Sequence, residues 1–151
     1  MDKLKNDQKE SLKSGDAKKR MVIGMVLNSV KNRELQKRAK SGQEEHLSDE
    51  EVLEVISSEV KKRKESIESF KVGGRQELAQ SEKEELDILM TYMPEQMSED
   101  AIREEVKKTI IETGAKDVKD MGKIIGAVMA KIKGKAEGGL VSKIVKEELP
   151  K

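Results

Sequence analysis

Apolar residues in this chain recur three and four positions apart rather than in alternation, and that spacing predicts helix almost throughout. A first short helix is expected from about Asp2 to Ser14, stopped by Gly15. Asp16 can then cap a long second helix to about Lys40, with Val22, Ile23, Val26, Leu27, Val30 and Leu35 at helical spacing. Ser41-Gly42 ends it. Ser48-Asp-Glu-Glu51 has the form of a capping box, in which Ser48 and Glu51 satisfy each other's backbone amides. The third helix carries Val52, Leu53, Val55, Ile56, Val60, Ile67 and Phe70, and Gly73-Gly74 punctuates it.

A fourth helix is expected over about Arg75 to Met93, presenting Leu78, Leu86, Leu89, Met90 and Met93. Pro94 closes it, because a residue preceding proline is biased away from helix. Met93-Pro94-Glu-Gln-Met97 is the best candidate for a domain boundary, dividing the chain into 1–94 and 95–151. Beyond it, Ser98 can cap a fifth helix with Ile102, Val106, Ile110 and Ile111 inside, ended by Gly114. A sixth helix is expected from about Lys119 to Lys133, and a seventh from about Glu137 to Glu148, before Pro150. The fold class is therefore all-α, a four-helix N-terminal unit followed by a small three-helix C-terminal bundle.

Composition narrows the chemistry. There is no cysteine, which removes disulfides, thiolate metal sites and cysteine nucleophiles. The N-terminus lacks the apolar stretch of a signal peptide, and no apolar run is long enough to span a bilayer, so a cytoplasmic location is expected, with no membrane partner. The 31 basic and 30 acidic residues nearly cancel, so any nucleic-acid signal must come from local clustering.

Candidate catalytic groups do not converge. His46, the single histidine, sits in the polar connection before the third helix with no nucleophile motif to serve. Carboxylates mostly alternate with lysines on helices, as in Glu59-Val-Lys-Lys-Arg-Lys-Glu65, and read as solvated faces with i, i+4 pairs. Ser57-Ser58 has no partnering base. No metal ligand set and no cofactor are expected. With only Phe70 and Tyr92 as aromatics, the chain cannot build a base-stacking platform, so RNA would be contacted through phosphate, 2′-hydroxyl and shape. Tyr92 itself is expected as a core ring with its hydroxyl at the bundle edge.

One segment differs in kind: Met121 to Val141. Met121, Ile125, Val128, Met129 and Ile132 form an apolar stripe, while Gly122, Gly126 and Ala130 fall at i, i+4, i+8 and form a bare one. Glycine inside a helix costs about 1 kcal/mol relative to alanine, so two at this spacing imply a reason. Close packing of another helix is one reading, and close approach of an RNA backbone the other. From Lys116 to Lys146 eight lysines face three acids, an excess of 8 − 3 = +5 in a chain whose total is +1. Lys133-Gly134-Lys135 falls where the sixth helix should end, and Glu137-Gly138-Gly139 opens the next, whose exposed amides could receive a phosphate. Gly134 as a helix cap, with lysines complementing a helix C-terminus, is the structural alternative.

The run Gly122-Lys-Ile-Ile-Gly-Ala-Val-Met-Ala-Lys-Ile-Lys-Gly-Lys-Ala-Glu-Gly-Gly-Leu-Val141 resembles the signature of YqeY-like proteins, shared with the tail domain of the B subunit of bacterial glutamyl/aspartyl-tRNA amidotransferase. Glu59 to Phe70, Gly74-Arg75, Glu84 to Leu89 and Tyr92-Met-Pro-Glu-Gln96 extend the resemblance over nearly the whole chain. It implies a two-part helical fold, and an association with a glutamine-dependent carbon–nitrogen ligase that belongs to the multi-subunit enzyme. It also implies a tRNA-contacting role for Gly122, Lys123, Gly126, Lys131, Lys133, Gly134, Lys135 and Gly138. Lys135 stands where the family often has Arg, and Glu137 where it often has Asp; lysine cannot supply arginine's bidentate phosphate fork. The expected function is a tRNA- or structured-RNA-binding accessory module without a complete catalytic site. Amidotransferase or other translation proteins are expected partners, and a helix-docking adaptor using the Gly122/Gly126 face is the alternative.

Overall fold

Capping residues set several of the helix boundaries. In the computed structural model, which describes residues 1–149, the order is α1 (Asp2–Ser14), α2 (Ala17–Ser41), α3 (Asp49–Val72), α4 (Gln76–Met90), α5 (Glu99–Thr113), α6 (Met121–Ile132) and α7 (Gly138–Glu148). Asp16 accepts the amide of Lys19, and Gly15 and Gly42 take the left-handed conformation that ends α1 and α2. The capping box forms: Glu51 N–H donates to Ser48 Oγ at 3.2 Å, and Ser48 N–H to Glu51 Oε2 at 2.8 Å. α4 stops earlier than expected, at Met90. Thr91 Oγ1 donates to the carbonyl of Ile88 at 2.7 Å, and residues 91–93 continue as a turn toward Pro94. α6 starts later than expected, because Val118–Asp120 wind as a 3-10 turn in which Asp117 caps Lys119. Pro150, expected to close the last helix, lies outside the described residues.

The chain divides into two compact units, Met1–Met93 and Pro94–Lys151. In the first, Val22, Ile23, Val26 and Val30 of α2 meet Val52, Ile56, Val60 and Ile67 of α3 and Ala79, Leu86 and Leu89 of α4, with Leu4 of α1 against them. In the second, Ile102 and Val106 of α5, Ile124, Val128 and Ile132 of α6, and Val141, Ile144 and Val145 of α7 form the core. Each fully buried aliphatic side chain contributes about 1.5–3 kcal/mol by leaving water. Arg103 on α5 ties that helix to the end of α7 through Glu147, at 2.7 Å, and Glu148. Among the described residues no helix is long and apolar enough to cross a membrane.

Several expected core positions face water instead: Leu35, Leu78 and Ile111 are exposed. Ala79, not Leu78, points into the first core, because α4 presents residues 79, 86 and 89 inward. The deepest line of α6 is Ile124, Val128 and Ile132, so the apolar stripe is rotated from the one expected, leaving Met121, Ile125 and Met129 half-buried at its flanks.

In Glu59–Glu65 the solvated face is only partial: Lys61, Lys62, Lys64 and Glu65 are exposed, with Lys61 3.9 Å from Glu65 at i, i+4, but Glu59 and Arg63 turn inward. Glu59 and Arg63 are 7% and 5% exposed, and they join α3 to its neighbours. Arg63 Nη1 donates to Glu59 Oε2 at 3.3 Å and Nη2 to Glu85 Oε2 of α4 at 3.0 Å, while Ser29 of α2 and Lys62 donate to Glu59 Oε1. Burial pushes the Glu59 carboxyl up, but the Lys62 hydrogen bond, the Lys62 and Arg63 charges and Ser29 hold it below the usual carboxylate range. His46 is in the loop before α3, its ring exposed and Nδ1 3.2 Å from Glu34 Oε1. Tyr92 packs on the first core with its hydroxyl donating to Asp7 and Lys3 above its ring. Burial and then Asp7 raise its pKa.

Candidate nucleic-acid interface

The geometry of α6 sorts its residues by face. Ile124, Val128 and Ile132 point into the core, and the opposite line, Gly122, Lys123, Gly126, Ala130 and Lys133, is exposed, with Lys119 before it. A Cβ built on Gly122 or Gly126 would meet nothing within 4 Å. Neither glycine has a positive φ, so neither backbone conformation requires glycine. Packing by a helix of this chain therefore does not account for the bare stripe. The surface is a smooth, accessible helix flank bordered by ammonium groups.

That flank runs into the turn 133–135. Lys133 caps α6 in the left-handed conformation (φ 38°, ψ 65°), and among the described residues it is the one non-glycine with positive φ. Gly134 follows at φ 80°. A side chain held there costs of order 1–2 kcal/mol, which glycine would avoid. The turn is clamped from the segment after Pro94. Met97 N–H donates to the Lys135 carbonyl at 2.8 Å, and Gln96 Nε2 donates to the Gly134 carbonyl at 3.1 Å and to the Pro94 carbonyl at 2.8 Å. Lys135 N–H closes the turn on Ile132 O at 3.0 Å. Nothing in residue spacing announced this contact, because Gln96 and Gly134 lie 38 positions apart.

The lysines are not equivalent. Lys131 reaches back to α5, with Nζ 3.2 Å from Thr109 Oγ1, 3.3 Å from Glu105 Oε1 and bonded to Glu112. The Glu112 hydrogen bond above all, against some loss of hydration, raises its pKa. Lys131 thus serves the bundle, and it stands apart from the exposed Lys123, Lys133 and Lys135. Lys143 is 4.0 Å from Glu147. The +5 excess of the 116–146 window is accordingly offset in space by Glu105, Glu112 and Glu147, which lie outside the window. Gly138 opens α7, its position for a Cβ 3.9 Å from the Met129 methyl, and the space beside Gly139 is open. Glu137 precedes them without a side-chain cap on the α7 amides.

Among the described residues no group of three or more His, Asp or Glu side chains is arranged to hold a metal ion. The fold and this surface define a two-unit all-helical protein that presents a clamped, lysine-bearing turn and a bare helix flank. The chain belongs to the YqeY family, matching the family described as Yqey-like protein over residues 1–149. It is also similar to altered inheritance of mitochondria protein 41, mitochondrial, of three fungi. It is 33% identical to the Saccharomyces cerevisiae protein over 109 residues, 71% of this chain and 56% of that protein. For the Candida glabrata protein the identity is 33% over 93 residues (61% and 48%), and for the Eremothecium gossypii protein 33% over 90 residues (60% and 46%). The matched part spans about half the length of these relatives.

Proposed function

We propose that this protein is a helical accessory module that binds tRNA or similarly structured RNA through the α6 flank and the turn that follows it. The observation that carries the reading is Lys133-Gly134-Lys135. A lysine occupies a left-handed cap that favours glycine, beside a second exposed lysine, in a turn fixed by two hydrogen bonds from residues 96 and 97. Backbone strain of this kind collects where surrounding structure holds a residue for use. The glycines let a sugar–phosphate backbone approach the helix, and the scarcity of aromatics favours phosphate and shape contacts over stacking.

The finer assignment, an appendage to a glutamine-dependent tRNA amidotransferase that carries RNA rather than chemistry, rests on the tail-domain resemblance. Stimulation of amidation on adding this chain to the other subunits, with none from the chain alone, would test it. The chain is expected to work in an aqueous compartment, the bacterial cytoplasm or, as the relatives' names suggest for them, the mitochondrion.

A filter-binding titration with tRNA tests the RNA reading. Submicromolar to micromolar affinity is expected, falling with salt by about 0.9 in log–log slope per phosphate neutralised. Lys133→Glu with Lys135→Glu should weaken binding by about tenfold or more and reduce that slope. Unchanged affinity would overturn the assignment. The bare flank also supports a second reading, an adaptor that docks a partner helix there. In that case Gly126→Leu abolishes partner capture and the lysine substitutions have little effect.

A further inference from the structure

The first unit carries an accessible cleft that the RNA reading does not use. It lies between α2, α3 and α4 and has a volume of about 400 Å³. Met21 and Met25, one turn apart on α2, form one wall and are 48% and 45% exposed. Glu82 and Glu85 of α4 form the other, and Glu59 and Arg63 lie at its floor. The two thioethers stand half in water beside Val22, Ile23 and Val26 of the same helix, which are buried.

The floor is incompletely satisfied. Arg63 spends Nη1 on Glu59 and Nη2 on Glu85, but its buried Nε has no hydrogen-bond partner. Nη2 also donates to Met25 Sδ at 3.6 Å. Methionine is flexible enough to swing aside for an incoming group. The cleft also carries excess negative charge: Glu59, Glu82 and Glu85 against Lys62 and Arg63. Glu59 and Glu85 are already paired, whereas Glu82, half-buried at the rim, has no ion pair among the described residues. Beyond the rim, Glu84 pairs with Lys18 and Asp87 with Lys83, and Leu78 is exposed four residues before Glu82 on the same face.

We propose that this cleft docks a basic amphipathic helix of a partner protein. Its apolar residues, one turn apart, seat on Met21 and Met25, and a lysine or arginine meets Glu82. Arg63 Nε, buried without a partner, donates to an acceptor on the incoming segment. The spacing of the two thioethers, about 6 Å along α2, matches i, i+4 anchors on a helix. Methionine-rich walls suit a helix face because they repack around it. An acidic or uncharged helix would gain the apolar contact and lose the pairing with Glu82.

The test uses the full chain labelled with 13C at the methionine methyls, with the Met21 and Met25 signals assigned by Met21→Leu and Met25→Leu. The probes are a synthetic leucine/lysine amphipathic peptide of roughly 18 residues, about five turns, and its leucine/glutamate twin. The Met21 and Met25 methyl signals should move with the lysine peptide, which should bind about tenfold or more tightly than its twin. Glu82→Lys should weaken it by about tenfold, while a chain carrying Lys133→Glu and Lys135→Glu binds it unchanged. Three results would each overturn the proposal: stationary Met21 and Met25 signals, equal binding of the two peptides, or full affinity in the Glu82→Lys chain.

Discussion

Gly122→Ala combined with Gly126→Ala separates the two explanations of the bare stripe in one experiment. Each added methyl enters open space, since a Cβ at either position meets nothing within 4 Å. Neither residue is held at positive φ, so alanine is unstrained. Alanine loses less backbone entropy on entering a helix than glycine does, which gives about 0.5–1 kcal/mol per site and about 1–2 kcal/mol together. For a domain this small, 1 kcal/mol moves Tm by about 4–8 °C, so the C-terminal unit should melt roughly 4–16 °C higher by circular dichroism. At the same time two methyls would hold an RNA backbone away from the helix, and tRNA affinity should fall by about threefold to tenfold while the protein becomes more stable. A lower Tm would show that the flank is covered and refute the open-face geometry. A higher Tm with unchanged tRNA affinity would refute close RNA approach at α6 and leave the turn at 133–135 as the only candidate contact.

Gln96→Ala should weaken tRNA binding by roughly threefold to tenfold, yet cost only about 1 kcal/mol in a urea melt, because one neutral hydrogen bond to the turn is lost and Met97 retains the other. Arg63→Met should destabilise the first unit by about 3–5 kcal/mol in urea, since it leaves Glu59 and Glu85 without their shared cation; a loss under 1 kcal/mol would show that the network is well hydrated. The same network predicts an acid response. Glu59 has a folded-state pKa below its unfolded value of about 4.3, so its stabilisation is present above that value and disappears as pH falls through the folded-state pKa. Glu59→Gln should remove that part of the slope in urea midpoints measured between about pH 6 and pH 3. Ser98→Ala should lower the stability of the second unit by about 1 kcal/mol, because the Ala101 amide loses its acceptor 3.2 Å away.

What could be read from residues alone was local. Asp16, Ser48, Ser98, Gly15, Gly42 and Gly114 act within a few residues of themselves, so helix number, order and most boundaries followed from their chemistry and the 3.6-residue period. The lysine excess and the two α6 glycines were visible for the same reason. The rotation of each helix about its axis was not, because it depends on which neighbour a face meets. Leu35, Leu78 and Ile111 therefore turned out to be exposed, and Glu59 and Arg63 buried, although both kinds of residue obey the helical pattern.

Only tertiary structure decided what the charges do. Lys131 and Lys133 are two residues apart, yet one is drawn onto α5 by two carboxylates and the other is held in a left-handed cap. Gln96 meets Gly134 because the segment after Pro94 passes beside the end of α6, a proximity no spacing rule encodes. The physical reason is range. Caps, periodicity and glycine cost are set by groups within one or two turns of each other, whereas ion pairing, burial of charge and an open Cβ position are set by residues tens of positions away.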